Sequence, residues 1–309
     1  MAEEFLTQFQ KRKLDAVAAA MNERVRELAP KILLHEVIFE AGIKGGDGSL
    51  YAVMPNCAAR GVDPDIINGI LRVFDPKIQL ALKHRNPFKD LAAIVTSIII
   101  WETPNAFLVN ESNPHTLKNQ TKSPIYADNA IMNTWPPFMN TISAFAQIEL
   151  EMAMRKCDVI IGGESRGIPF ATWIAKDLAK GTGIARKEIK THGTKKGVEG
   201  GILPGEVAVL VEDLTTDGGS KEPFVKNIRN MGAEIKDVLV VFDRKQGAEK
   251  FLREKLGVEL HSLTDIDVHL KVGLERGYIT PEEEQSIQEY LKDPKAWNIG
   301  RNYGWPISG

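Results

Sequence analysis

The sequence predicts an α/β fold in which a mostly parallel sheet is flanked by helices, with an extra helical segment ahead of it. Three observations carry that reading. CDVIIGG (157–163), VAVLVED (207–213) and IKDVLVVFD (235–243) are short runs that are apolar almost throughout, as strands buried on both faces are. Helical stretches separate them, which is the alternation that lays strands parallel. The first third of the chain, by contrast, shows only helical spacing.

Taken in order, the helical part comes first. Phe5, Phe9, Leu14, Val17, Met21, Val25, Leu28 and Ile32 recur every three or four residues. The segment GIKGGDGS (42–49) breaks the pattern, which returns over 63–82, where Asp63 can cap and Pro64 suits the first turn. This amino-terminal part reads as an amphipathic extension that packs on its own chain or on a second subunit, and it holds no catalytic motif. Further on, CDVIIGG reads as a strand, IPFATWIAKDLAKG (168–181) as a helix, TGIARKE (182–188) as a short apolar run, and the strand VAVLV is expected to end at Val211. KEPFVKNIRNMG (221–232) and AEKFLREKLG (248–257) are helical, and VELHSL (258–263) is one more apolar run.

Composition narrows the function classes. The chain has 309 residues, 43% hydrophobic, which admits one large domain or two smaller ones. With 39 basic against 41 acidic residues, the net charge of −2 argues against a nucleic-acid or membrane surface and leaves a small polar partner open. Cys57 and Cys157 are too few for a disulfide framework and suggest a reducing compartment. The start MAEEFLTQFQKRK lacks the cationic-then-apolar order of a signal peptide, so a cytoplasmic protein is expected. His35, His84, His115, His261 and His269 show no metal spacing and read as ordinary surface or core residues. Trp101, Trp135 and Trp173 read as core or interface.

Sites in parallel sheets lie beyond the carboxyl ends of the strands. After Val211 come Glu212, Asp213, Leu214, Thr215, Thr216, Asp217, Gly218, Gly219 and Ser220. A Gly/Thr/Ser loop entering a helix offers free N–H groups, hydroxyls and the positive end of the helix dipole, which suits a phosphate. The two acids repel a phosphate but accept from hydroxyls, so the pair and loop together fit a phosphorylated sugar. An ordinary strand-to-helix turn is the plain alternative, and no Walker loop is present.

VLVEDLTTDGGS resembles the phosphoribosyl-pyrophosphate (PRPP) signature of type I phosphoribosyltransferases. ARKEIKTHG (185–193), TLKNQTKSPIYADN (116–129) and FDRKQG (242–247) are similar to the mobile catalytic loop, the substrate-hood segment and the Asp-Arg-Gln turn of the orotate phosphoribosyltransferases. The resemblance runs from about residue 89 to 300. It implies the type I fold, with a helical extension over 1–88, and a transferase domain over 89–309 that divides into a small hood (about 89–135) and a core (about 136–309).

The resemblance also implies roles. Glu212 and Asp213 would take the ribose hydroxyls, and Thr215, Thr216, Asp217, Gly218, Gly219 and Ser220 the 5-phosphate region. Arg186, Lys187, Lys190 and His192 would meet the pyrophosphate, with Lys190 and His192 reaching a neighbouring subunit's site, which makes a homodimer with a shared active site. Arg166, where a lysine is common, would stand in the pyrophosphate loop. Lys118 would lie near base and pyrophosphate, Thr216 would bond the base, and Arg244 would pair with the orotate carboxylate, a task a forked guanidinium suits better than an ammonium. Mg²⁺ would arrive bound to PRPP, with no dedicated ligand cluster. The implied reaction joins orotate to PRPP, giving orotidine 5-monophosphate and pyrophosphate in UMP biosynthesis. A transferase for another base, or a non-catalytic PRPP- or nucleotide-binding regulator, are the alternatives. Asp217 departs from the family's small uncharged residue, and Gln120 and Thr121 stand where Gly and Arg are common.

Overall fold

The structure, a computed structural model, describes residues 87–117, 120–150, 156–188 and 197–305. The helical readings at 3–41 and 63–82 and Cys57 lie outside these residues. Helix α1 (Pro87–Glu102) comes first. Two small antiparallel ribbons follow: β1 (Phe107–Val109) pairs with β4 (Ile125–Ala127), and β2 (His115–Thr116) with β3 (Lys122–Ser123). A 3₁₀ turn (Asn129–Thr134) and helix α2 (Pro136–Glu149) lead to the main sheet.

That sheet contains β5 (Val159–Gly163), β6 (Gly181–Ala185), β7 (Val198–Glu199), β8 (Val207–Thr215), β9 (Glu234–Asp243) and β10 (Glu259–Asp265). Their order is β10-β9-β8-β5-β6-β7, and every neighbouring pair is parallel except β6 with β7. Helix α3 (Gly167–Asp177) joins β5 to β6, and α4 (Glu222–Asn230) joins β8 to β9. A short α5 (Ala248–Phe251) with a π-helical continuation joins β9 to β10, and α6 (Ile266–Arg276), α7 (Pro281–Lys292) and α8 (Pro294–Gly300) close the chain.

The two-residue period of a strand builds two cores from one sheet. On β8, Val209 and Val211 pack with Ile99 of α1, Ile142 of α2, Phe170 of α3 and Leu270 of α6. Ala208 and Leu210 pack on the opposite face with Phe224, Val225 and Ile228 of α4. Helix α4 is set for that place: Glu222 in its first turn suits the dipole, Pro223 suits its start, and its apolar stripe faces the sheet. His269 belongs to the first core, stacked on Trp101 with ring centroids 4.4 Å apart, and burial pushes it down to about 3.

From β5 the chain turns toward β6, and from its neighbour β8 it turns the other way, toward β9. Such a reversal opens a crevice at the carboxyl ends of the two strands. The loops after β5 and β8 meet there. The strand expected to end at Val211 runs on to Thr215, because Glu212, Leu214 and Thr215 continue the ladder to Val240, Phe242 and Asp243 of β9. Both acids therefore sit on the sheet itself, not in the loop. No helix of the described residues is long and apolar enough to cross a membrane.

Candidate active site

Alternation along β8 sends its two acids to opposite sides of the crevice. Glu212 lies on the α4 side, where Lys221 Nζ stands 2.7 Å from its Oε2 and donates also to Leu214 O at 2.8 Å. Lys221 is 3% exposed and Glu212 6%. Asp213 lies on the opposite side, where Arg166 Nη1 is 3.7 Å from its Oδ2 and 2.7 Å from Asp128 Oδ1. Asn129 donates to the Asp213 carbonyl at 3.2 Å. Burial pushes both carboxyls up, with Lys221 the strongest pull downward on each. Glu212 Oε1 and Asp213 Oδ2 are buried without a hydrogen-bond partner.

Glycines at the end of β5 and at the start of α3 allow this closeness. A Cβ at Gly163 would lie 2.0 Å from Glu212 Oε1, and one at Gly167 would lie 2.2 Å from the Val211 carbonyl. Any side chain at either place would push the acid or the strand aside.

The loop after β8 turns at Gly218, whose φ of +84° is left-handed and suits glycine. Gly219 and Ser220 are exposed and open a single 3₁₀ turn that leads into α4. Asp217 is exposed, and its Oδ1 accepts from the Gly219 N–H at 3.0 Å, so it turns back on its own loop. Lys221, four residues beyond Asp217, is committed to Glu212. Thr215 is buried, its Oγ1 unpartnered, and its carbonyl accepts from the Arg244 N–H at 3.0 Å. Thr216 is half-buried.

That last bond sets Arg244 at the carboxyl end of β9, beside the loop. Its Nε and Nη2 are buried and unpartnered, burial pushes its guanidinium down, and the Tyr290 oxygen of α7 accepts a hydrogen bond from it. Burial also pushes neighbouring Asp243 up to about 6. Arg186 stands apart from this group. Its Nη1 is 2.8 Å from Glu164, its Nη2 2.5 Å from Glu199, and its carbonyl accepts from Asn227. Lys187 is exposed, and its charge reaches Glu212. Lys118, Lys190 and His192 lie outside the described residues. Among the described residues no three His, Cys, Asp or Glu side chains converge on a common point as a metal cage.

Sequence reasoning missed Lys221, Asp128, Asn129, Glu164, Glu199 and Tyr290. One of them carried a signal: a lysine at the start of a helix opposes the dipole, so it needs an acid nearby. Tyr290, far along the chain from Arg244, had none.

A phosphoribosyl transferase domain model matches residues 129–272. The orotate phosphoribosyltransferase of Listeria monocytogenes is 30% identical over 192 residues, 62% of this chain and 92% of that protein. That of Dinoroseobacter shibae is 35% identical over 218 residues, 69% and 96% of the two chains. The crystal structure of orotate phosphoribosyltransferase from Aeropyrum pernix shares the fold with a TM-score of 0.50 at 24% identity, over 60% of this chain and 99% of that one.

Proposed function

The chain belongs to the orotate phosphoribosyltransferase family, and from that premise we propose that it transfers the phosphoribosyl group of PRPP to orotate, releasing pyrophosphate. The observation that carries this reading is Arg244: a desolvated guanidinium with two unused donors, bonded through its backbone to the end of β8. Keeping an unpaired cation out of water costs free energy, so the site favours an anion that brings matching acceptors. The orotate carboxylate has the shape for a two-point bond.

The sugar would lie between the loops after β5 and β8. Glu212 and Asp213 would accept from its hydroxyls, while Thr216, Gly218, Gly219 and Ser220 would hold its phosphate. In the reaction the bond from C1 of the ribose to the pyrophosphate oxygen breaks and the bond from C1 to the ring nitrogen of orotate forms. Positive charge builds on the sugar and negative charge on the departing group, so cations belong at the latter. Arg166, Lys187 and, beyond the described residues, Lys118, Lys190 and His192 are proposed for that place. Arg186 would join them only by exchanging Glu164 and Glu199 for the pyrophosphate. Magnesium would travel on PRPP, held by its oxygens and water, and when bound would draw charge from the leaving group. The two carboxylate oxygens that lack a hydrogen-bond partner, beside an anion loop, suit such a metal-neutralised substrate.

The reading includes a homodimer sharing its sites through Lys190 and His192, a cytoplasmic setting, a helical extension over 1–88 ahead of a hood-and-core transferase from 89 onward, and a place in UMP formation. A substrate panel tests it. With PRPP and Mg²⁺, orotate should be consumed while uracil, adenine and hypoxanthine are not. Faster turnover of a neutral base would overturn the assignment.

A further inference from the structure

In the proposed transfer two acids accept from the sugar hydroxyls, yet both are buried and adjacent in sequence. Taking one carboxylate out of water is unfavourable, and a second beside it makes ionisation harder still. The cations that face the pair come from different elements. Arg166 reaches Asp213 from the loop after β5 and is shared with Asp128. Lys187, after β6, acts on Glu212 from an exposed position. Among the cations of the described residues Lys221 is the one that touches Glu212, and its ammonium is also tied to the Leu214 carbonyl, which fixes its direction.

The position of Lys221 has a cost that packing does not explain. A lysine at the mouth of a helix opposes the dipole and sits beside the proposed phosphate loop, where an exposed cation would serve the phosphate directly. Instead it is buried and turned away from the loop toward the strand.

We propose that Lys221 is a positioning residue of the sugar site: it holds Glu212 in place by Oε2 and favours its charged form through the 2.7 Å contact, so that the sugar meets an oriented acceptor. This role rests on the phosphoribosyl-transfer reading and deepens it. It makes the first residue after the phosphate loop part of the ribose site, coupling the two halves of PRPP recognition through one short segment. Burial raises the Glu212 carboxyl against the pull of Lys221, so loss of the ammonium removes the largest opposing pull, raises the carboxyl further and weakens Glu212 as a charged acceptor for a hydroxyl.

The test uses full-length Lys221→Met and Lys221→Gln, the second retaining a donor without charge, with thermal melts to check folding. PRPP binding by calorimetry and the PRPP KM are measured from pH 6 to 9. The expected result is a rise in KM of about tenfold at pH 7 for both variants, with kcat little changed, since a charge-assisted bond is lost from a substrate that is still held elsewhere. Their affinity for PRPP should recover as pH rises, a dependence that the parent and Lys221→Arg lack. If the parent binds PRPP and both variants match it at every pH, the positioning role is refuted alone. Reduced melting temperature with an unchanged pH profile also refutes it, because that is the signature of a structural lysine. A parent that fails to bind PRPP refutes the transfer reading, and this role with it.

Discussion

Replacing Arg244 by Met should raise stability while it destroys orotate recognition. The guanidinium holds two buried donors without partners, and each such donor costs about 1 to 3 kcal/mol. Met has a similar length, no charge and no donor, so the empty protein sheds most of that cost. The loss of the Tyr290 hydrogen bond offsets about 1 kcal/mol of it. The net gain is about 1 kcal/mol or more, which moves Tm upward by roughly 2 to 4 °C in a chain of 150 to 250 residues and by less in a longer one. Orotate loses its forked partner at about 1.5 to 3 kcal/mol, or roughly ten- to a hundredfold in kcat/KM for orotate. PRPP binding should hold steady. Melting curves and steady-state kinetics on the same preparation read both effects. A lower Tm with unchanged orotate kinetics would refute the reasoning, as would a collapse of PRPP affinity with orotate intact.

Three other outcomes are expected. Mixing inactive Lys190→Ala with inactive Asp213→Asn should restore part of the activity, because a hybrid dimer holds one site free of both lesions; no recovery after verified subunit exchange sinks the shared site. Asp217→Ala should lose about 0.5 to 2 kcal/mol of stability with its bond to the Gly219 N–H, yet tighten PRPP by freeing that donor and removing a negative charge, and weaker binding in a titration would contradict this. Burial lowers His261, but Asp237 at 2.8 Å and Glu149 at 3.9 Å outweigh it and take the ring up to about 9. A pKa raised on folding stabilises fully below the unfolded value near 6.5 and is lost as pH climbs through about 9, so melts of the parent should fall over that window and those of His261→Asn should not.

Much of this was legible in the chain because it is written locally. Apolar strands without alternation gave the parallel sheet, and the loop from Thr216 to Ser220 announced itself by its glycines. The strand's true end was not legible, since Glu212 and Asp213 read as polar punctuation while the ladder to β9 carries them onward to Thr215. What the side chains touch was hidden for a related reason. Glu164 and Glu199 hold Arg186 across three elements, and Tyr290 meets Arg244 from α7, contacts that only the sheet order creates. Lys221 was the intermediate case: Glu212 lies only nine residues before it, yet the strand, the loop and the turn between them must fold before the two meet.

The most direct measurement is to incubate the full chain with orotate, PRPP and Mg²⁺, follow the fall in orotate absorbance, and identify the products by mass. One orotidine 5-monophosphate and one pyrophosphate should form for each orotate consumed, and none without PRPP. Unchanged orotate in the presence of a chain that binds PRPP would contradict the account.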